Sequence, residues 1–256
     1  MPFTLAHPAA ILPLRGLRHL RTVPLIIGAM TPDLPYYVPA RLGHFGPETH
    51  SVTGSFTTCL VLGYAALVGV FLLRRPLTAL LSARARRLCR GALAPFSRRP
   101  FEWVLAPVSI LLGVWTHLLW DSFTHNDGWM VRRVAALSAP VSFGWYSGTV
   151  CHVLQYLTSA FGLAVLALWY RRLPAPAAPP ADPDAPRSSV GPVLMLVAAA
   201  AILIGGVQAT QAFSHLPTIY RTIDIFLTRS LAWFAVLYLV AGTVVTLEHD
   251  SAFRSG

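Results

Sequence analysis

Histidine and aspartate are the residues in this 256-residue chain best suited to bind a metal or move a proton, and they are unevenly spread. Seven of the nine histidines precede residue 173. The sharpest local pattern is His117-Leu-Leu-Trp-Asp121, with His125 four residues further on. Residues four apart lie one above the other on a helix face, so an imidazole and a carboxylate would meet there. Neutral imidazole nitrogen and carboxylate oxygen, converging from different segments, are what a borderline metal such as zinc requires. His7, Asp33, His50 and His152 are further groups of the same chemistry. Each has a plainer reading. A histidine in a membrane helix is often a helix–helix hydrogen bonder, and Thr31-Pro32-Asp33-Leu34-Pro35 is also ordinary turn chemistry.

The elements that must position these residues are membrane helices. The chain is 55% hydrophobic and only 12% charged, with a mean hydropathy of +0.58. Soluble domains carry about a quarter charged residues, and so apolar a chain is not disordered. A crossing helix needs about 20 mostly apolar residues. Five windows qualify: Ser51–Leu73, Trp103–Trp120, Val150–Tyr170, Val190–Phe213 and Ile225–Leu247. The stretch His7–Val38 is apolar but interrupted by prolines and arginines, and is expected to lie on or dip into the membrane. Leu173–Pro192 holds seven prolines and reads as an extended cytoplasmic linker. The expected organisation is a His/Asp-rich membrane domain over 1–172, the linker over 173–192 and a two-helix hairpin over 193–256. The fold class is therefore all-α: an integral membrane helical bundle of about five spans plus an N-terminal membrane-associated segment.

All 20 basic residues are arginine, against ten acidic ones. No recognition motif accompanies the charge, so nucleic acid is not an expected partner; the lipid bilayer is. Eight arginines lie between the first two spans, from Arg74 to Arg99. The positive-inside rule assigns that segment to the cytoplasm, where it would meet anionic headgroups. The N-terminus then lies outside and the C-terminus inside. On that topology His7, Asp33, His44, His50, His117, Asp121, His125 and His152 all fall on the non-cytoplasmic face, although only arginines were used to assign it. Cys59, Cys89 and Cys151 form no CxxC pair. Walker, Gly-x-Ser-x-Gly and dinucleotide fingerprints are absent.

The opening Pro2-Phe3-Thr4-Leu5-Ala6-His7-Pro8-Ala9, the segment Gly28-Ala29-Met30-Thr31-Pro32-Asp33, Thr49-His50-Ser51 and Thr116-His117-Leu118-Leu119-Trp120-Asp121 resemble an uncharacterised bacterial family of polytopic membrane proteins over most of the chain. The same motifs are similar to predicted membrane-bound metal-dependent hydrolases. More remotely, their order resembles the ligand order of zinc-dependent phospholipase C. Carried over by position, that resemblance implies His7, Asp33, His50, His117 and Asp121 as metal ligands, with His125 and His152 as further matches. The chain departs from the phospholipase pattern where His152 is followed four residues on by Tyr156 rather than by glutamate. The N-terminal tryptophan ligand is missing too. One or two divalent metals, with zinc the expected ion, fit better than three.

The reading is a metal-dependent hydrolase at the outer membrane interface acting on a lipid-like or phosphoester substrate, with Asp33 or Asp121 accepting the proton. The alternative is a non-enzymatic membrane protein, a transporter or assembly factor, whose His/Asp cluster is a structural or ion-binding network. Threonines beside the histidines, Thr49 and Thr116, are candidates for orienting the rings. The topology is directly testable. In a background lacking the native cysteines, Met130→Cys should react with an impermeant maleimide on intact cells, and Arg90→Cys only after permeabilisation. The reverse pattern would invert the assignment.

Overall fold

The computed structural model describes residues 4–37, 46–144, 146–174, 190–215 and 219–254. His44, Trp145 and most of the proline-rich linker lie outside the described residues. Five helices are long and apolar enough to cross a membrane: Val52–Leu72 (α2), Phe101–Thr124 (α5), and the spans within Val150–Arg172 (α6), Gly191–His215 (α7) and Ile219–Arg254 (α8). The chain is thus a multi-pass membrane protein with an all-α fold. Their large apolar side chains face outward, as with Val61 at 68% and Leu196 at 72% exposure, which suits lipid rather than water. Among the described residues the β-structure is one antiparallel hairpin, Pro140–Phe143 (β1) with Tyr146–Thr149 (β2), in register Pro140 to Thr149. Gly144 takes a positive φ at its turn, where a side chain would be strained.

The described elements fall into two compact units. The first contains the 3-10 segment Thr4–Ile11, helix Thr22–Met30 (α1), the 3-10 turn Thr31–Asp33, most of α2, and α5, β1, β2 and α6. At nine residues, α1 is about 13 Å long, well short of a bilayer crossing. It is packed instead against α5. Arg21, at its N-terminus, forks onto the buried carboxylate of Glu102, Nη2 lying 3.2 Å from Oε1 and Nε also bonded to Oε2. Its backbone N–H donates to Ser109 Oγ at 2.9 Å. A bidentate guanidinium–carboxylate pair fixes orientation as well as adding energy.

The two helices then approach to backbone contact. A Cβ on Gly113 would lie 2.7 Å from Ala29 N and overlap the Leu25 carbonyl, and one on Gly28 would overlap the Ile110 carbonyl. Small residues allow such close crossings between membrane helices. Elsewhere on α5, Trp115 Nε1 donates to Ser55 Oγ in α2, and Trp120 Nε1 donates to Thr158 Oγ1 in α6. Gly162 of α6 admits the Ala6 carbonyl, with 3.0 Å to a would-be Cβ.

The second unit contains α7, α8 and two helices in the arginine-rich segment, Arg74–Ala79 (α3) and Ala83–Arg98 (α4). Ser82 caps α4, accepting from Ala85 N. Arg86 is buried and donates to the Leu81 carbonyl just past the end of α3, which suits a cation at a helix C-terminus. Tyr238 Oη donates to the Leu77 carbonyl, and Arg75 forks onto Asp250, at 2.6 and 3.0 Å.

The glycine crossing has a measurable consequence. Gly113→Ala should cost on the order of 1–3 kcal/mol through overpacking and lower the thermal midpoint of the detergent-solubilised protein by several degrees. Gly69→Ala, whose Cβ would meet nothing within 4 Å, should leave it unchanged or slightly raised. Equal midpoints for the two variants would contradict the close crossing.

Candidate metal centre

Four segments deliver the site. Pro32 opens the 3-10 turn that follows α1, and Asp33 closes it. His50 follows the helical turn Gly46–Thr49, which is tied down where Thr49 Oγ1 donates to the Pro32 carbonyl at 2.8 Å. Ser51 then caps α2, accepting from Gly54 N at 2.8 Å, and a π-helical turn follows over Ser55–Cys59. Such turns are frequent near functional sites. His117 and Asp121 sit one turn apart at the end of α5, and His7 comes from the N-terminal 3-10 segment.

Asp33, His50, His117 and Asp121 each offer one ligand atom, all within 4.8 Å of one another. His50 Nε2 lies 3.3 Å from Asp33 Oδ1 and 3.6 Å from Asp121 Oδ2. His117 Nε2 lies 3.6 Å from Asp33 Oδ1 and 3.1 Å from Asp121 Oδ2. A tetrahedral ion with bonds of about 2.0–2.1 Å holds its ligand atoms about 3.3 Å apart. The four measured edges bracket that value.

Each inward-facing atom is oriented by a contact on its other side. His117 Nδ1 donates to the Ala29 carbonyl at 2.8 Å, which aims Nε2 at the two carboxylates. His117 is wholly buried, and its Nε2 finds no hydrogen-bond partner. Asp33 turns its outer oxygen, Oδ2, to the Thr4 hydroxyl at 2.6 Å. Asp121 turns Oδ1 to His7 Nε2 at 3.0 Å and to His125 Nδ1 at 3.4 Å. Gln155 Nε2, at 2.9 Å, donates to His125 Nε2, leaving the proton of that ring on Nδ1, toward Asp121. The His7 ring stacks on His117, centroids 3.9 Å apart.

Electrostatics follow from this packing. Burial alone would raise the Asp33 carboxyl, but the facing His117, His50 and His7 rings outweigh it and hold its pKa below the ordinary carboxylate value. His125 is pushed below the usual imidazole value by burial, against the pull of Asp121.

Of the seven residues expected from sequence, the structure gathers Asp33, His50, His117 and Asp121 around one point and sets His7 and His125 behind Asp121. His152 is elsewhere: its Nε2 lies 3.2 Å from Asn126 Nδ2, in a polar cluster with Thr149 and Cys151. Thr116 donates to Gly113 within its own helix, so His117 is oriented by Ala29 rather than by its neighbouring threonine, whereas Thr49, which donates to Pro32, also lies 3.4 Å from His50 Nδ1. Thr4 and Gln155 were not foreseen. Thr4 does stand three residues before His7 in the opening motif, and Gln155 three after His152, but neither spacing reveals a contact across 29 or 30 residues. Outer contacts of this kind are worth about 10–100-fold in metal affinity. With a divalent metal on the cluster, Thr4→Val should therefore weaken its binding by about that factor in a chelator competition titration, with the stoichiometry unchanged.

No curated protein and no solved structure matches the chain. The family described as Domain of unknown function (DUF4184) matches residues 1–247, a span that takes in every residue of the cluster, and the chain belongs to that family.

Proposed function

We propose that this membrane protein holds one divalent metal, zinc for preference, on Asp33, His50, His117 and Asp121, and that the loaded centre hydrolyses an amphiphilic phosphoester. The observation that carries the metal is His117 Nε2. With Nδ1 committed to Ala29, Nε2 points at carboxylate oxygens at 3.1 and 3.6 Å, and once that nitrogen gives up its proton it turns a lone pair toward them. Lone pairs facing one another in a buried site repel unless a cation lies between them. In their metal-binding form, two carboxylates and two imidazoles that have given up their Nε2 protons carry a charge of −2, which a divalent ion would neutralise.

When bound, such an ion supplies Lewis acidity and an activated water near neutral pH. The protein's own groups supply the rest. Thr4 anchors Asp33, His7 and His125 face Asp121, and Gln155 holds His125. Asp121 is the better placed proton acceptor, with a side chain 10% exposed against 3% for Asp33. His50, 24% exposed, marks the side open to substrate. An amphiphilic substrate is supported by depth: Asp121 lies in the last turn of α5, and His50 just precedes α2, where headgroups meet the apolar spans. The hydrolase and the zinc are also what the resemblance of the opening motifs implies.

One observation favours a second reading, a non-enzymatic protein with a structural ion. Four protein ligand atoms within 4.8 Å of one another are enough to fill a four-coordinate ion, whereas hydrolytic zinc keeps a position for water. Elemental mass spectrometry of the detergent-purified chain decides the first step. About one zinc or manganese per chain is expected, lost in His117→Ala/Asp121→Ala while the protein stays monodisperse. Absence of metal after incubation with zinc sinks the site. Hydrolysis of bis(p-nitrophenyl) phosphate, reduced at least 100-fold in Asp121→Asn at unchanged thermal midpoint, supports the enzyme. Stoichiometric metal with no turnover, and a midpoint that falls on chelation, supports the structural ion.

A further inference from the structure

The arginine-rich segment does more than form a charged loop. Helices α3 and α4 enclose a cavity of about 350 Å³ lined by Arg74, Arg75, Thr78, Arg90, Ser97 and Arg98. Two stripes of α4 explain it. Arg86, Leu93 and Phe96 are the buried stripe, seven and three residues apart on one helix face. Arg90, Ala94, Ser97 and Arg98 form a second stripe, at the four- and three-residue spacing that keeps side chains on one face. Four arginines therefore line one space, and no carboxylate is among its lining residues; the Arg74 guanidinium also donates to the Phe71 carbonyl at 2.8 Å and lies over the Phe71 ring. Arg75 is held in place from outside by its fork onto Asp250.

We propose that this cavity is a binding site for a phosphate-bearing anion. Guanidinium is the cation suited to phosphate, because its planar fork donates two parallel hydrogen bonds to a pair of oxygens. Ser97 adds a hydroxyl, while Thr78 donates its own back to Arg74 O at 2.7 Å and so presents lone pairs to the cavity. The volume is in the range of small-ligand pockets, about 300–1,000 Å³, larger than a bare inorganic ion needs. The position is at a bilayer boundary: Arg74 follows the apolar span Val52–Leu72 almost directly. Leu72 and Leu73, beside it, are 67% and 40% exposed, as acyl chains under a bound headgroup would require. The shared chemistry is a phosphate ester, from an anionic lipid headgroup or from a soluble phosphorylated molecule. This inference does not depend on the metal centre.

The test is calorimetric titration of the full chain in dodecyl maltoside with inorganic phosphate, glycerol 3-phosphate and dihexanoyl phosphatidylglycerol. Saturable binding near one per chain is expected, weakened at least tenfold in Arg74→Gln/Arg98→Gln. Phosphatidylglycerol binding more than tenfold tighter than glycerol 3-phosphate identifies a lipid headgroup as the ligand. Comparable affinities identify a soluble phosphoester. Arg74→Lys/Arg98→Lys keeps the charge, and with it the topology, but removes the forks; it should lose at least threefold, and carries the test if the glutamine pair does not fold. No saturable binding of any probe by the wild type, or undiminished affinity in the folded variants, overturns the proposal.

Discussion

The first unit depends on a backbone-to-backbone crossing between α1 and α5 that only glycine permits at Gly28 and Gly113. Without a Cβ at either position the helices close until the Ala29 carbonyl reaches the His117 ring. That single distance sets the ring orientation, and Asp33, four residues beyond Ala29, arrives opposite Nε2 as a consequence. A short helix of nine residues could not hold this geometry by its own stability. The fork of Arg21 onto the buried Glu102 carboxylate closes one end of the crossing and the His117–Ala29 bond lies toward the other, so the packing and the polar contacts enforce one another.

Within that frame the cluster presents an electrostatic problem whose solution limits what it can be. Two carboxylates in a buried site are costly unless compensated. Protonated imidazoles are one form of compensation. The stacking of His7 on His117 at 3.9 Å limits it to one of the two rings, because two imidazolium rings face to face would repel. A single cation shared by four ligand atoms would compensate both carboxylates and use Nε2, and it fits a pattern in which each carboxylate has one oxygen turned inward and the other bonded outward. The outer bonds, from Thr4, His7 and His125, are the kind of support that keeps ligands in place in well-formed metal sites.

Much of this was legible in the sequence, and what was not is physically intelligible. The five spans could be read because charge is expensive in hydrocarbon, so uncharged windows are an unambiguous signal. His117 and Asp121 could be paired from helical spacing alone. Asp33 and His50 entered through resemblance and through an arginine-based topology, both of which are long-range arguments, and the structure does bring them to the same point. Thr4, Gln155 and the Ala29 carbonyl escaped because each acts through a contact between distant segments, and a backbone carbonyl carries no sequence signature. The hairpin β1–β2 escaped as well, since its strands are four residues each with no buried face, too short for alternation to declare itself. The arginine-rich segment read as a loop because its charge masked the apolar stripe of Leu93 and Phe96.

Placement of polar groups at the ends of apolar spans resolves a conflict inherent in membrane proteins. A charged site needs water, or a substrate, to reach it, yet it gains strength from a low-dielectric surround. At the middle of a span the first need fails, and in a solvated loop the second does. The last turn of α5 satisfies both: His117 is sealed under α1, while His50, one element further out, remains a quarter exposed. The arginine-lined cavity is set against the same constraint, since apolar Leu93 and Phe96 are buried on α4, the helix that also carries Arg90 and Arg98. In each unit, charge is concentrated where a helix leaves the hydrocarbon, because that is the depth at which it can be both held rigidly by packing and reached by a ligand.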